Sequence, residues 1–259
     1  TYTGTDANGQ PQGLKQLTNP LSPNNEFGQP KDAKSFTAKD MKPTFQDEIT
    51  IGFEKQLAPE WNSGARMTYR TLKSTIDDLC DARPFEAWAK RTNTTITNPN
   101  FGHDCYLFNP GVANTFVFDI DAKGTYKEIA LSAADLGFEK AKRTYTALDL
   151  FLEHPFRNGW YGKVNYTWSR SYGNTEGQVR SDNGQADVSV TAVWDYPEVM
   201  RGATGLLPND RTHQIKAFGF YQLNNEWSVG GNLLLASGRP RSCLGNDPNG
   251  AGTPNYGNQ

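Results

Sequence analysis

From Glu48 to Leu57 the chain alternates strictly, with Ile49, Ile51, Phe53 and Leu57 on one parity and Glu48, Thr50, Gly52, Glu54 and Gln56 on the other. A period of two puts the two sets on opposite faces of a β-strand. After Ala58, Pro59 and Glu60 a second run sets Trp61, Ala65, Met67 and Tyr69 against Asn62, Arg66, Thr68 and Arg70, which predicts an antiparallel hairpin. The plan recurs. Arg143 to Glu153 carries Leu148, Leu150 and Leu152 against Tyr145, Asp149 and Glu153, and Pro155 to Gly159 reads as the turn. Trp160, Gly162, Val164, Tyr166 and Trp168 then alternate with Tyr161, Lys163, Asn165, Thr167 and Ser169. In a third unit Ile215, Ala217, Tyr221 and Leu223 share a parity, and Asn224 to Glu226 turns the chain. Trp227, Val229, Leu233 and Leu235 follow against Ser228, Gly230, Asn232 and Ala236, while Phe218 and Phe220 break the alternation.

The three hairpins, at about residues 47–72, 143–171 and 211–238, are separated by long segments at 73–142 and 172–210 and flanked by 1–46 and 239–259. Compact domains seldom hold structureless connections longer than about 12–15 residues, whereas outer-membrane barrels combine short periplasmic turns with long extracellular loops. The pattern therefore predicts an all-β protein, part of an antiparallel up-and-down transmembrane β-barrel. Pro59, Asn158 and Asn225 are expected on the periplasmic side. Each turn is followed by a tryptophan, so Trp61, Trp160 and Trp227 are expected at one height, as an interfacial aromatic girdle requires. Six strands are visible and single-chain barrels of this type begin at about 8, so the chain is expected to be part of a larger barrel. A soluble extracellular all-β binding module, such as a lectin-like sandwich, shares the alternation and is the competing reading.

Composition fits a strand-crossing protein better than a helical one. Of 259 residues 36% are hydrophobic, yet 6 Trp, 11 Tyr and 14 Phe are interleaved with polar residues, and the mean hydropathy is −0.70. No stretch reaches the 18 or so apolar residues of a membrane helix, and Thr1 to Gln10 lacks the basic start and apolar run of a signal peptide. The 26 basic and 28 acidic residues leave a net charge of −2, which excludes binding to nucleic acid by bulk charge.

Several segments in combination resemble a known family. They are Lys42-Pro-Thr-Phe-Gln-Asp-Glu48 running into Ile49-Thr-Ile-Gly-Phe-Glu-Lys55, and Tyr166-Thr-Trp-Ser-Arg-Ser-Tyr-Gly-Asn-Thr-Glu-Gly-Gln178. With them go Trp194-Asp-Tyr-Pro197, Leu207-Pro-Asn-Asp-Arg-Thr-His-Gln214 and Ser237-Gly-Arg-Pro240. Together they resemble the barrel of TonB-dependent outer-membrane receptors of the Oar-like group over residues 40–245. The resemblance implies a 22-stranded barrel in a Gram-negative outer membrane, filled by an N-terminal plug. It also implies import of a substrate, here unidentified, with energy from the inner-membrane TonB complex. Oar-like members tend to carry a carboxypeptidase-regulatory-like domain ahead of the plug. Neither it nor the plug is expected within this sequence. The implied partners are outer-membrane lipid, the remainder of the barrel with its plug, and the TonB complex. No cofactor is implied. A passive porin-like barrel is the alternative within the membrane class.

The candidate chemistry is sparse. Cys80 and Cys105 share the first long loop of a chain expected to mature in an oxidising compartment, so they read as a disulfide, with Cys243 left over. His103 and these cysteines lack zinc-ligand spacing. Asp119-Ile-Asp-Ala-Lys-Gly124 starts like a calcium loop, but Lys123 stands at a ligand position and Ala130 replaces the bidentate Glu, so a turn is expected. There is no G-x-S-x-G or H-E-x-x-H, and His154 and His213 lie far apart in the chain. Asp149 and Glu153 read equally as a glycosidase pair or as polar lumen residues, and with no convergent site visible no enzyme is expected. Arg66, Lys163, Asn165 and Gln214 are expected to line the lumen. Trp194, Asp195, Tyr196, Arg180 and Arg201, in the second long loop, are the candidate ligand contacts, since aromatic anchors with charged partners suit polar ligands.

Overall fold

The computed structural model describes residues 3–8, 11–13, 36–99, 101–102, 104–177, 181, 194–241, 245–246 and 257–258. Two small pairs frame it: β1 (Gly4–Thr5) with β2 (Pro11–Gln12), and β14 (Gly245–Asn246) with β15 (Gly257–Asn258). The six long strands are β3 (Phe45–Ala58), β4 (Trp61–Ser74), β9 (Arg143–Arg157), β10 (Trp160–Gly173), β12 (His213–Gln222) and β13 (Ser228–Ala236). They form one antiparallel sheet in the order β3-β4-β9-β10-β12-β13, and β11 (Gly205–Leu206) pairs with the end of β10.

The register lines up like with like across the sheet. One row runs Phe53, Ala65, Leu150, Tyr166, Ile215, Leu235, and the adjacent row on the opposite face runs Gly52, Arg66, Asp149, Thr167, Gln214, Ala236. A slip of one residue at any strand would mix the two faces, so the alternation itself holds the register. Among the described residues nothing covers the apolar face: Ile51 is 72% exposed, Phe53 68% and Leu233 52%. Among the described residues no helix is long and apolar enough to cross a membrane.

The turns differ in detail from expectation. The sequence suggests a break from Pro155 onward, but β9 continues to Arg157, and the register shift lies opposite the Trp160 to Gly162 step. The turn is Asn158-Gly159, with φ of 52° and 82°, the left-handed pair that Asn-Gly accommodates and that matches strand twist. Phe218 and Phe220 pair with Lys163 and Tyr161 of β10. Both lie on the polar face, where Phe220 stacks on Phe156 at 5.4 Å and Tyr161 at 5.8 Å.

The largest departure concerns segment 73–142, expected as a long loop. It folds. It contains β5 (Asp77–Leu79), α1 (Arg83–Arg91), β6 (Tyr106–Phe108), β7 (Asn114–Asp119), β8 (Tyr126–Leu131) and α2 (Ala133–Leu136). Helix α1 starts with Arg83-Pro84, has Glu86 in its first turn and Lys90 and Arg91 in its last, and buries Phe85, Trp88 and Ala89. Helix α2 is held by a Ser132/Asp135 capping box and closed by Gly137 at φ 76°. Their apolar sides join Leu79, Phe108, Phe116, Ile129 and Leu131 in the chain's main buried core. The core therefore sits in a layer at the loop end of the sheet, not within the sheet. Asn109 ties the layer to the strand ends, accepting from the Lys42 N–H at 2.6 Å and donating to the carbonyls of Lys42 at 2.9 Å and Thr75 at 2.7 Å.

Candidate functional site

The polar face carries a ladder of charged contacts, each spanning neighbouring strands. Near the loop end Glu48 pairs with Arg70, whose guanidinium lies 5.2 Å from the Tyr145 ring centre. One step down, Asp149 accepts from Arg66 at 3.1 Å and from the Thr167 hydroxyl at 2.6 Å. Further toward the turns, Glu153 accepts from Lys163 and from Tyr161, both at 3.1 Å. Asp149 and Glu153 are thus each committed to a cation and a hydroxyl. Exposed pairs of this kind contribute little to stability. Their role here is to line a polar wall.

At the loop end this wall opens into a cavity of about 440 Å³ lined by Arg70, Arg143, Tyr145, Ser169, Ser171 and Arg211, with Gln46, Asn209, Asp210 and Gln214. The strands supply the cavity's walls, and the turn entering β12 closes one side. Asp210 is buried and fixes that turn: one oxygen accepts from the Ser171 N–H at 2.6 Å and the other from the Thr212 hydroxyl at 3.1 Å. Arg143 and Arg211 are not among the residues singled out from the sequence. Their signal was available in part, because Arg143 shares the polar parity of Tyr145 and Asp149.

The second long loop packs onto the first. Trp194 has no exposed surface and lies 5.8 Å from the Phe138 ring, within the core of the layer. Asp195 is also buried, and its carbonyl accepts from the Cys80 N–H at 3.1 Å. Both residues therefore join the two loops instead of facing a ligand, which corrects their expected role as accessible contacts. Tyr196 is half-buried, and Arg201 is exposed beside Glu198 at 4.0 Å. Arg180, His103 and Cys243 lie outside the described residues. Arg83 strengthens the joint by forking between Asp81 at 2.6 Å and Glu198 at 2.8 Å, and this pairing holds the Glu198 carboxyl below the usual range. Hydrogen bonding from Arg91 and Ser132 lowers Asp135 to about 2. Burial, with the nearby Asp78 charge, pushes Asp195 up to about 7, and burial raises Asp77 in the same direction.

Cys80 and Cys105 are joined by a disulfide, S–S 1.98 Å, linking the ends of β5 and β6. Closing 25 residues this way constrains the unfolded loop by about 3.5 kcal/mol on the loop-entropy model. Asp78 lies beside the two sulfurs, but a disulfide offers no thiolate to a metal. The three girdle tryptophans all stand at the turn end. Trp160 stacks on His154 at 3.6 Å and Trp61 meets the same ring edge-on at 5.2 Å, leaving His154 buried between them, while Trp227 is 67% exposed.

Comparison with known proteins bears on the two-faced sheet. The family model described as outer membrane beta barrel domain matches residues 1–259. The chain belongs to the outer-membrane β-barrel domain family. It is also 31% identical over 210 residues to the TonB-dependent transporter Oar of Myxococcus xanthus, covering 80% of this chain and 16% of that protein. The chain thus spans about one sixth of the length of this curated relative. No solved structure is matched at significance. Membership of this family places the protein in the outer membrane. The apolar rows then face lipid and the polar ladder faces the lumen.

Proposed function

We propose that the chain is one stretch of the barrel of a TonB-dependent receptor that imports a substrate across the outer membrane using energy from the inner-membrane complex. The observation that carries this reading is the 31% identity to a TonB-dependent transporter across 80% of the chain. The rest of the barrel, the plug and any domain ahead of it belong to other parts of the same polypeptide. In this reading the turn end is periplasmic, and Trp61, Trp160 and Trp227 anchor it at the inner interface. The folded loop layer is the extracellular vestibule, and the protein acts by transport and not by catalysis.

The test is uptake by cells carrying the full-length receptor. Deleting Gly173 to Pro208 removes Trp194 and Glu198 from the layer and only the terminal Gly173–Arg143 pair from the β9–β10 ladder, so the barrel is expected to insert while uptake is lost. Collapsing the inner-membrane proton gradient is expected to stop uptake by the intact receptor. Uptake that survives the collapse would replace active import with a passive porin. Uptake at the intact rate in the deletion would remove the vestibule's role in capture.

A further inference from the structure

The cavity at the loop end of the lumen face gathers three guanidinium groups, those of Arg70, Arg143 and Arg211. Arg70 is answered by Glu48. Arg143 is half-buried, with the compensating charge of Glu176 and the opposing charge of Arg70 both acting on it. Its guanidinium donates to the Glu176 carbonyl and to the Gln46 side-chain oxygen at 3.4 Å. Arg211 donates to the Ser237 carbonyl at 2.9 Å. Among the described residues the acceptors that meet Arg143 and Arg211 are therefore all uncharged. Asp210, the cavity's acid, has both oxygens turned to the Ser171 N–H and the Thr212 hydroxyl.

Each guanidinium carries five N–H donors in a planar fork, and Arg143 and Arg211 spend only a few of theirs on the protein. Both line the same space of about 440 Å³. Two guanidinium forks with unused donors, lining one void, are complementary to an anion. The polar wall suits a hydrophilic group better than an apolar one. The cavity opens away from the lipid-facing rows, because Tyr145 and Ser169 are on the face opposite Leu148 and Trp168.

We propose that this cavity is an oxyanion site, in which Arg143 and Arg211 bind a carboxylate or phosphate group of a soluble solute entering the lumen. The proposal rests on the reading of the polar face as the lumen of an import barrel, and it adds the chemical class of what is imported. Ionic hydrogen bonds shared between two guanidinium forks would hold the group at the top of the lumen, below the loop layer.

The experiment is calorimetric titration of the purified full-length receptor in detergent at low ionic strength, with inorganic phosphate and with succinate as probes. The wild type is expected to bind at least one probe at a single site, more weakly as salt is added. Arg143→Gln/Arg211→Gln should weaken binding by about ten-fold or more. Arg143→Lys, which keeps the charge and loses the fork, should fall between. Arg241→Gln, exposed and outside the cavity, should bind as the wild type does. If the double variant fails to fold by circular dichroism, Arg143→Lys and Arg211→Lys carry the comparison. The proposal is overturned if neither probe saturates the wild type, if the arginine variants bind unchanged, or if Arg241→Gln loses as much as they do. Binding is read here without any energy source. A receptor that binds but takes up solute after collapse of the gradient refutes active import and leaves the site standing; energised uptake with no probe binding does the reverse.

Discussion

Replacing Phe53 with arginine tests the assignment of the two faces at a depth the structure fixes. Strand β3 has 14 residues, which at about 3.3 Å each and a tilt of about 40° span roughly 35 Å along the membrane normal. Phe53 is the ninth residue, about 4 Å from the strand's midpoint, inside an apolar band about 25 Å tall. Its row neighbours Ala65, Leu150, Tyr166 and Ile215 offer an arginine no carboxylate. The expected cost is about 2–4 kcal/mol. At about 1.36 kcal/mol per decade that is roughly a 30- to 900-fold fall in the folding constant. Glu54→Arg, one residue on, points into the lumen opposite Gly64 and should stay within about 0.5 kcal/mol. Urea titration of the full-length receptor folded into phospholipid vesicles, followed by tryptophan emission, measures both. Equal costs, or a greater cost at Glu54, would refute the assignment of lipid and lumen faces.

Two further outcomes follow from the loop layer. Trp194→Ala should cost about 3–5 kcal/mol within that layer, because a fully buried indole leaves a large cavity. Hydrogen exchange should then accelerate across residues 77–138 with the long strands unchanged, and a uniform loss of protection would contradict a separate core. Asp195 carries the pH dependence. Its folded value of about 7 lies above an unfolded value near 4, so between these values the folded layer keeps a proton that the unfolded chain has released. Stability is therefore greatest in acid and falls by about 2 kcal/mol from pH 5 to pH 7. Near-UV dichroism melts should show this slope, and Asp195→Asn should make it shallower, with buried Asp77 supplying the remainder in the same direction; a layer that gains stability over the same interval would reverse the argument.

The sheet was legible because a two-faced strand writes its environment into every second residue. Ile49, Ile51 and Phe53 had to share a face, and the structure places them so. Where the alternation failed, at Phe218 and Phe220, the cause was an aromatic cluster on the lumen side, a long-range contact with Phe156 that no local period encodes. The loop layer was illegible for a related reason. Its strands β5 and β6 are three residues each, too short to show a period, and its core is assembled from Leu79, Phe116, Leu136 and Trp194, which no single window contains. The same limit applies to the cavity. Arg143 could be placed on the polar face from its parity, but its meeting with Arg211 depends on the β9-β10-β12 order, which pairing alone reveals.

The joint between the two long loops bears on how antibodies raised against this protein recognise it. Arg83 and Glu198 stand 115 positions apart in the sequence and 2.8 Å apart in space, and Cys80 and Asp195 share a backbone hydrogen bond nearby. An antibody that recognises this patch reads a discontinuous epitope. A linear peptide copied from either loop, or the protein after reduction and boiling, presents only half of it, and immunisation with the folded, disulfide-bonded form is what raises antibodies to the intact surface.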